Sequence, residues 1–371
     1  MSDLNALIEK TKSYLEQYLK DYKNYKTYWN YEDGCVLKAA RDFYEITGEK
    51  KYIDFILKYL SECISYEGRI TNYEEGKFNI DSVNSGKCLF AAYEETGEEK
   101  YRKAIEQIMD QLRNQPRTST GNFFHKKIYP NQIWLDGLYM AQPFYMEYET
   151  KFDAKEKYGD IVSQFENVQK YLLNREKVLC YHAYDETKSM FWADKETGCS
   201  ANFWLRSMGW YLMALIDTID HIDADIYEQY RTLGDIFRMM IKGVLKYMDE
   251  KTGLFYQVID KPDVSGNYTE SSGSAMIAYA ILKACKLRVL LPDKYKKIGK
   301  RIFEGLMENK LIEDEQGIHL SGICSVAGLG PEDNRRRDGS VEYYLYEPIV
   351  NDDPKGVGCF FMAFAQYLSC K

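Results

Sequence analysis

Apolar side chains recur along most of this chain at the three- and four-residue intervals that put them on one helix face. Leu4, Ile8, Tyr14, Leu15, Tyr18 and Leu19 mark one stripe between Leu4 and Tyr22, and Ile53, Ile56, Leu57, Leu60 and Ile64 mark another between Tyr52 and Ile64. The same spacing runs through Ala104 to Leu112, Trp210 to Ile222, Tyr227 to Met248, Ser274 to Leu290 and Tyr295 to Met307. Alternating, strand-like patterns are few. Gly, Asn, Asp and Pro fill the intervening segments, as turns require. The pattern predicts an all-α protein.

Two stretches are near copies, FYEITGEKKY from Phe43 to Tyr52 and AYEETGEEKY from Ala92 to Tyr101. Each reads as a helix end, a Thr-Gly stop, a charged turn and a new helix starting near the Tyr. Gly48 and Gly97 fall where a left-handed residue closes a helix. Weaker echoes occur at Leu290 to Tyr295 and at Asp223 to Tyr227. A hairpin repeated at this period predicts an α/α array. The 371 residues have room for six hairpins of about 60 residues each, which close into an (α/α)6 barrel or stay open as a solenoid. No Pro/Ser-rich linker or break in composition interrupts the chain, so residues 1–371 are expected to form one domain.

Composition narrows the partners. The net charge of −8 and pI near 5.3 argue against nucleic acid as the main partner. They leave room for a small anionic substrate held by a local Arg or Lys. Nine scattered cysteines make no CxxC pair and are expected as buried free thiols in a reducing cytosol. The opening residues Met1 to Ala6 lack the basic-then-apolar order of a signal peptide. No stretch approaches the roughly 20 apolar residues that cross a bilayer. A soluble, cytoplasmic protein without membrane contact is expected.

The densest chemistry lies in YPNQIWLDGLYM, Tyr129 to Met140. Asp136 is set among Trp134, Leu135, Leu138, Tyr139 and Met140. An aspartate in apolar company tends to keep its proton, because burial disfavours the carboxylate. A carboxyl group protonated near neutral pH is a general acid, and the adjacent rings offer flat faces to a sugar. The segment points to acid catalysis on a carbohydrate, although an Asp so placed also serves as a helix cap or a buried hydrogen-bonding group.

Other segments add reactive groups. Asp81 follows Phe78-Asn79-Ile80 as a second acid, His125 and Lys126 follow two Phe, and His182 lies between Tyr181 and Tyr184. Arg206 stands between Trp204 and Trp210, and a Gly-containing loop carries Arg335, Arg336 and Arg337. Each has a plainer reading: satisfied structural histidines, a stacked arginine brace, a solvated basic loop. No HExxH, GxSxG or paired-cysteine motif occurs. The set describes a sugar site without metal or cofactor.

In order along the chain, Asn79-Ile80-Asp81, Phe124-His125-Lys126, the Tyr129 to Met140 segment, Tyr181 to Asp185, Trp192-Ala193-Asp194, Phe203 to Trp210, Asp338 to Tyr344 and Asp353 to Gly358 resemble glycoside hydrolase family 105, the unsaturated rhamnogalacturonyl hydrolases. The likeness runs from about Trp29 to the end. Family 88, the unsaturated glucuronyl hydrolases, is similar in fold and acid.

The resemblance implies an (α/α)6 barrel with a deep pocket at one end. It implies a short substrate such as unsaturated galacturonyl-rhamnose, whose 4,5-unsaturated uronic acid is left by lyases acting on pectin. Asp136 looks like the general acid/base. Asp81, His125, His182, Trp204, Arg206 and Trp210 match pocket positions, and Trp134 and Met140 join them as binding candidates. In the implied reaction Asp136 protonates C4 of the enol ether and water adds at C5. Asp81, if close, would raise the Asp136 pKa further, and Trp204 and Trp210 would stack on the sugar. Arg206, His182 or the Arg335 to Arg337 loop would meet the uronate carboxylate. The alternatives are a family 88-type hydrolase of glycosaminoglycan fragments, a sugar epimerase, and a sugar-binding α/α barrel without turnover.

Overall fold

The computed structural model describes residues 2–223 and 225–370. Met1 at the start, and Ala224 within the weaker repeat echo, lie outside them. The described residues form thirteen α-helices: α1 (Ser2–Asp21), α2 (Tyr31–Thr47), α3 (Lys50–Cys63), α4 (Lys87–Thr96), α5 (Glu99–Arg113), α6 (Leu135–Phe152), α7 (Tyr158–Tyr171), α8 (Leu205–His221), α9 (Tyr227–Val244), α10 (Ser271–Lys286), α11 (Pro292–Lys310), the short α12 (Val341–Tyr346) and α13 (Pro354–Ser369). The strands among them are short and make four separate two-stranded pairs.

The helices form two concentric rings. In the inner ring α2 neighbours the 3-10 turn Ile80–Gly86 that leads into α4; that turn neighbours α6, and α6, α8, α10 and α13 follow in order, with α13 returning to α2. In the outer ring α3, α5, α7, α9 and α11 each pair with the inner helix that precedes them, and α1 completes the last pair. The Tyr14 ring of α1 lies 5.2 Å from Phe361 of α13, and its hydroxyl donates to Asp352 at 2.5 Å. The array is therefore closed, as an (α/α)6 barrel.

The repeated Thr-Gly segments do what their composition predicts. Gly48 and Gly97 take the left-handed conformation at φ 71° and 68°, and their N–H groups donate to Tyr44 and Tyr93 carbonyls. Thr47 and Thr96 hydroxyls each donate to the carbonyl four residues back and accept from the N–H two residues ahead. The same device thus turns α2 into α3 and α4 into α5.

The amphipathic stripes belong mostly to the outer helices, which bury one face. The inner helices are wrapped by neighbours on all sides. Every residue of α8 from Leu205 to Ile219 and of α10 from Ser271 to Cys285 is buried. Each fully buried Leu, Ile or Phe in this layer contributes about 1.5–3 kcal/mol. All nine cysteines are free and buried, as expected. Among the described residues no helix is long and apolar enough to cross a membrane.

Candidate active site

The first turns of the inner helices meet at one end of the barrel. A cavity of about 210 Å³ there is lined by Tyr31 and Glu32 of α2, Asp81 of the 3-10 turn, Asp136 and Met140 of α6, and Arg206 and Trp210 of α8. The pairs 136/140 and 206/210 are each four apart and so share a helix face. Trp134 at the end of a short strand, the loop residues Lys26, His125, Lys126, Tyr129 and Trp204, and the segment Val326, Ala327, Gly328 with Arg337 complete the wall. Helix N-termini carry partial positive charge, so this end of the barrel suits anions. A larger groove, about 890 Å³, opens beside the end of α1 and α3, away from the acid–histidine pairs.

Asp136 is the second residue of α6. The strand Gln132–Trp134 runs straight into that helix and pairs antiparallel with Ala183–Asp185, with Trp134 opposite Ala183. Leu135 N–H also donates to the His182 carbonyl at 3.1 Å. This short ladder sets the Asp136 carboxylate beside the His182 ring, Oδ2 to Nε2 3.2 Å. The approach does not have hydrogen-bond geometry, and both atoms are buried without a hydrogen-bond partner. An orphaned polar atom in a folded interior calls for a role, a strain or a further partner that explains it.

His182 is wholly buried and does not itself line the cavity; it backs Asp136. Its Nδ1 lies 2.8 Å from the Tyr344 hydroxyl of α12. Burial holds that hydroxyl well above its usual pKa, so it stays protonated and can donate. When it donates to Nδ1, the neutral imidazole carries its own proton on Nε2, facing Asp136. Trp204 packs on His182 at 4.8 Å and on Tyr344 at 6.0 Å, and Trp134 meets His182 edge-on at 5.3 Å.

Asp81 is anchored by its own turn, where Asn79 accepts from the Asp81 N–H. Its carboxylate reaches His125 Nε2 at 3.0 Å and Lys126 Nζ at 2.7 Å. Burial opposes ionisation there, but Lys126 and then His125 outweigh it and hold Asp81 well below the ordinary carboxylate range. Asp81 is thus an ionised group already matched by the Lys126 ammonium, not a second proton donor. His125 stacks on Trp134 at 5.4 Å, and Trp134 stacks on Tyr129 at 4.9 Å. Gly137 makes room for this: a Cβ there would lie 3.1 Å from His125 Nδ1 and 2.9 Å from Ile80.

Arg206 lines the cavity but is largely committed. Its Nε donates to Ser272 at 2.7 Å, and one terminal nitrogen contacts Glu270 at 3.4 Å and donates to the Cys324 carbonyl. Burial works against its charge, yet Glu270 keeps it firmly protonated. Trp204 and Trp210 are 1% and 2% exposed, with Tyr344 and Tyr139 stacked on one face of each. Of the nine residues expected from sequence, eight line the same cavity and His182 stands behind Asp136. Tyr31, Glu32 and Lys26 were not anticipated; they sit at loop and helix starts without a sequence signal, whereas the Val326 to Gly328 segment belongs to the Gly-containing basic loop. Tyr344 lay in a recognised motif, but nothing in the sequence pairs it with His182. Of the arginine run, only Arg337 reaches the cavity. Among the described residues, no group of three or more His, Cys, Asp or Glu side chains is placed to hold a metal ion.

The closed helical barrel sets an acid, backed by a histidine, in the wall of a ring-lined cavity, an arrangement suited to acid catalysis on a sugar. The model of Glycosyl Hydrolase Family 88 matches residues 7–371. A family 105 glycoside hydrolase of C. acetobutylicum superposes with a TM-score of 0.89 and 42% identity, over 98% of each chain. The 24.9 kDa protein in the picA locus of Rhizobium radiobacter is 38% identical over 238 residues, 62% of this chain and 98% of that protein. The unsaturated rhamnogalacturonyl hydrolase YesR of Bacillus subtilis is 23% identical over 287 residues, 75% of this chain and 77% of that protein. The chain therefore belongs to glycosyl hydrolase family 88 as that model defines it, and to family 105 with its 42% identical relative. It is an unsaturated uronyl glycoside hydrolase of this type.

Proposed function

We propose that residues 1–371 act as one catalytic domain that removes a 4,5-unsaturated galacturonyl group from the non-reducing end of short pectin- or rhamnogalacturonan-derived oligosaccharides. The observation that carries the reading is the pair of buried, unpartnered atoms, Asp136 Oδ2 and His182 Nε2, 3.2 Å apart beside a ring-lined cavity. The likeness to YesR favours the rhamnogalacturonan side.

Asp136, entering as the acid, gives its proton to C4 of the vinyl ether, and positive charge develops at C5 and the ring oxygen. Water adds at C5 and returns a proton to the Asp136 carboxylate. The C5 hemiketal opens by breaking its bond to the ring oxygen, which leaves a ketone at C5. The hemiacetal at C1 then expels the other sugar as an alcohol and becomes an aldehyde. The net change is one water consumed. An Nε2–H on His182 would support the Asp136 carboxylate formed midway. Such general-acid assistance is worth about 10²–10⁴ in rate. Asp81, His125, Lys126, Trp134, Met140, Trp204, Arg206 and Trp210 shape and charge the binding surface. Buried free thiols suit a cytoplasmic enzyme that meets short, imported oligosaccharides.

Loss of the conjugated ultraviolet band tests the reading directly. Unsaturated galacturonyl-rhamnose should be the better substrate. Because the matching family model is that of family 88, preference for unsaturated glucuronyl-hexosamine is the competing outcome and would move the enzyme to glycosaminoglycan fragments. Interconversion of saturated sugars with the band untouched would mark an epimerase, and binding without turnover a sugar-binding barrel.

A further inference from the structure

We propose that Arg337 holds the uronate carboxylate of the substrate, and that it binds the ground state rather than driving the chemistry. This rests on the hydrolase reading above. Four Lys and Arg side chains line the cavity: Lys26, Lys126, Arg206 and Arg337. The first three are taken. Lys26 pairs with Glu32, Lys126 with Asp81, and Arg206 with Glu270 and Ser272. The neighbours of Arg337 are also spent, Arg335 on Glu332 at 3.0 Å and Arg336 on Glu347 at 2.7 Å. Among the described residues Arg337 has no carboxylate partner, and its Nε is buried without a hydrogen-bond partner. A planar guanidinium with unused donors is the group that recognises a carboxylate.

The loop holds this arginine in place. The Arg337 N–H donates to the Asn334 carbonyl at 3.2 Å, and the Arg337 carbonyl accepts from Gly330 at 2.8 Å. Leu329 is wholly buried in a cluster with Trp134 and Tyr129. The Arg337 guanidinium and the Trp134 ring both flank Gly328, each 3.6 Å from where its Cβ would lie. Trp134 is two residues before Asp136, so a sugar ring whose C4 meets Asp136 can turn its C5 carboxylate toward Arg337.

The direction of the kinetic effect follows from charge. The reacting ring gains positive charge at C5, the carbon that bears the carboxylate. A fixed cation beyond that carboxylate strengthens binding before the proton is transferred but does not favour the cation that follows. Its removal should therefore raise KM and leave kcat nearly unchanged.

The test uses unsaturated galacturonyl-rhamnose and its C6 methyl ester with wild type, Arg337→Gln and Arg337→Lys, following the ultraviolet band, with thermal melts alongside. Wild type should favour the free acid. Arg337→Gln should raise KM for the acid about 10- to 100-fold, the scale of a lost charge-assisted pair, and leave the ester nearly unaffected. Arg337→Lys, which keeps the charge but loses the fork, should fall between and carries the test if the Gln variant melts early. Retention of the wild-type acid-over-ester preference in both variants, or a loss confined to kcat, overturns the assignment while the hydrolase reading stands. A wild-type enzyme that leaves the band of both substrates intact overturns the hydrolase reading, and the role of Arg337 with it.

Discussion

Tyr344→Phe removes one oxygen and nothing else from the site. The Tyr344 ring is wholly buried and stacked on Trp204, so Phe keeps the packing. The lost group is the hydroxyl 2.8 Å from His182 Nδ1. His182 is itself wholly buried, so no water replaces that partner without rearrangement. A buried polar atom left unpaired costs about 1–3 kcal/mol. At roughly 2.1 cal/mol/K of unfolding entropy per residue, a 371-residue chain carries about 0.8 kcal/mol/K, so Tm should drop by about 1–4 °C. The catalytic effect has a different origin. Without Tyr344 as donor, the imidazole is free to place its proton on Nδ1 and to turn a bare Nε2 lone pair toward Asp136 Oδ2. Losing about 1.4 kcal/mol of support for the Asp136 carboxylate lowers kcat about tenfold. The assay is initial-rate loss of the ultraviolet band, with calorimetric melts of the same preparations. In the double variant with Asp136→Asn the two effects should not add, because both act on one carboxylate. A Tyr344→Phe enzyme with wild-type kcat and wild-type Tm refutes the proposed tautomer control.

Asp81→Asn strips the charge that His125 and Lys126 share. Lys126 and Asp81 are half-buried, so losing this charge-assisted pair costs about 1.5–3 kcal/mol. Because the folded-state pKa of Asp81 is depressed, chiefly by Lys126 against the opposing effect of burial, its contribution is present above about pH 4 and is lost as pH falls toward the folded value. Urea melts of both proteins should therefore show a gap that is constant from about pH 7 to about pH 4 and narrows below it, and a gap independent of pH contradicts the assignment. His319 behaves in the opposite sense. Its Nδ1 is 2.5 Å from Asp352, which raises its pKa. The stability it lends is complete below about pH 6.5 and fades as pH rises through the raised value. The stability difference between wild type and His319→Asn should shrink on raising the pH from 6 to 9, and a constant difference contradicts it.

The outer helices were readable because one face meets solvent; Ile53, Ile56 and Leu60 of α3 stand out against the charged residues between them. Of the inner helices, α8 and α10 showed the spacing over Trp210 to Ile222 and Ser274 to Leu290, although a helix buried all round has little polar face to set a stripe off. α13 is buried from Pro354 to Gln366 and beyond, and α6 also carries Pro143 in its interior, so neither announced itself by period. Within the site, Trp134, Asp136 and Met140 were legible together because they are contiguous in sequence. Asp81, His125, His182 and Arg206 stood out as reactive groups beside aromatic residues and then by motif order, neither of which places them in contact with one another. What a sequence cannot carry is how each charge is matched. The 3.0 Å bond from His125 to Asp81 and the Tyr344 hydroxyl behind His182 join segments far apart in the chain, and the pairing of Arg336 with Glu347 that leaves Arg337 free depends on how one turn folds.

The central claim is that Asp136 protonates the sugar. Steady-state hydrolysis of unsaturated galacturonyl-rhamnose by Asp136→Asn, with calorimetric binding of the same disaccharide, tests it most directly. The account predicts a kcat lower by at least about 10²–10⁴ with binding retained. An Asn variant that bleaches the ultraviolet band at the wild-type rate would contradict it.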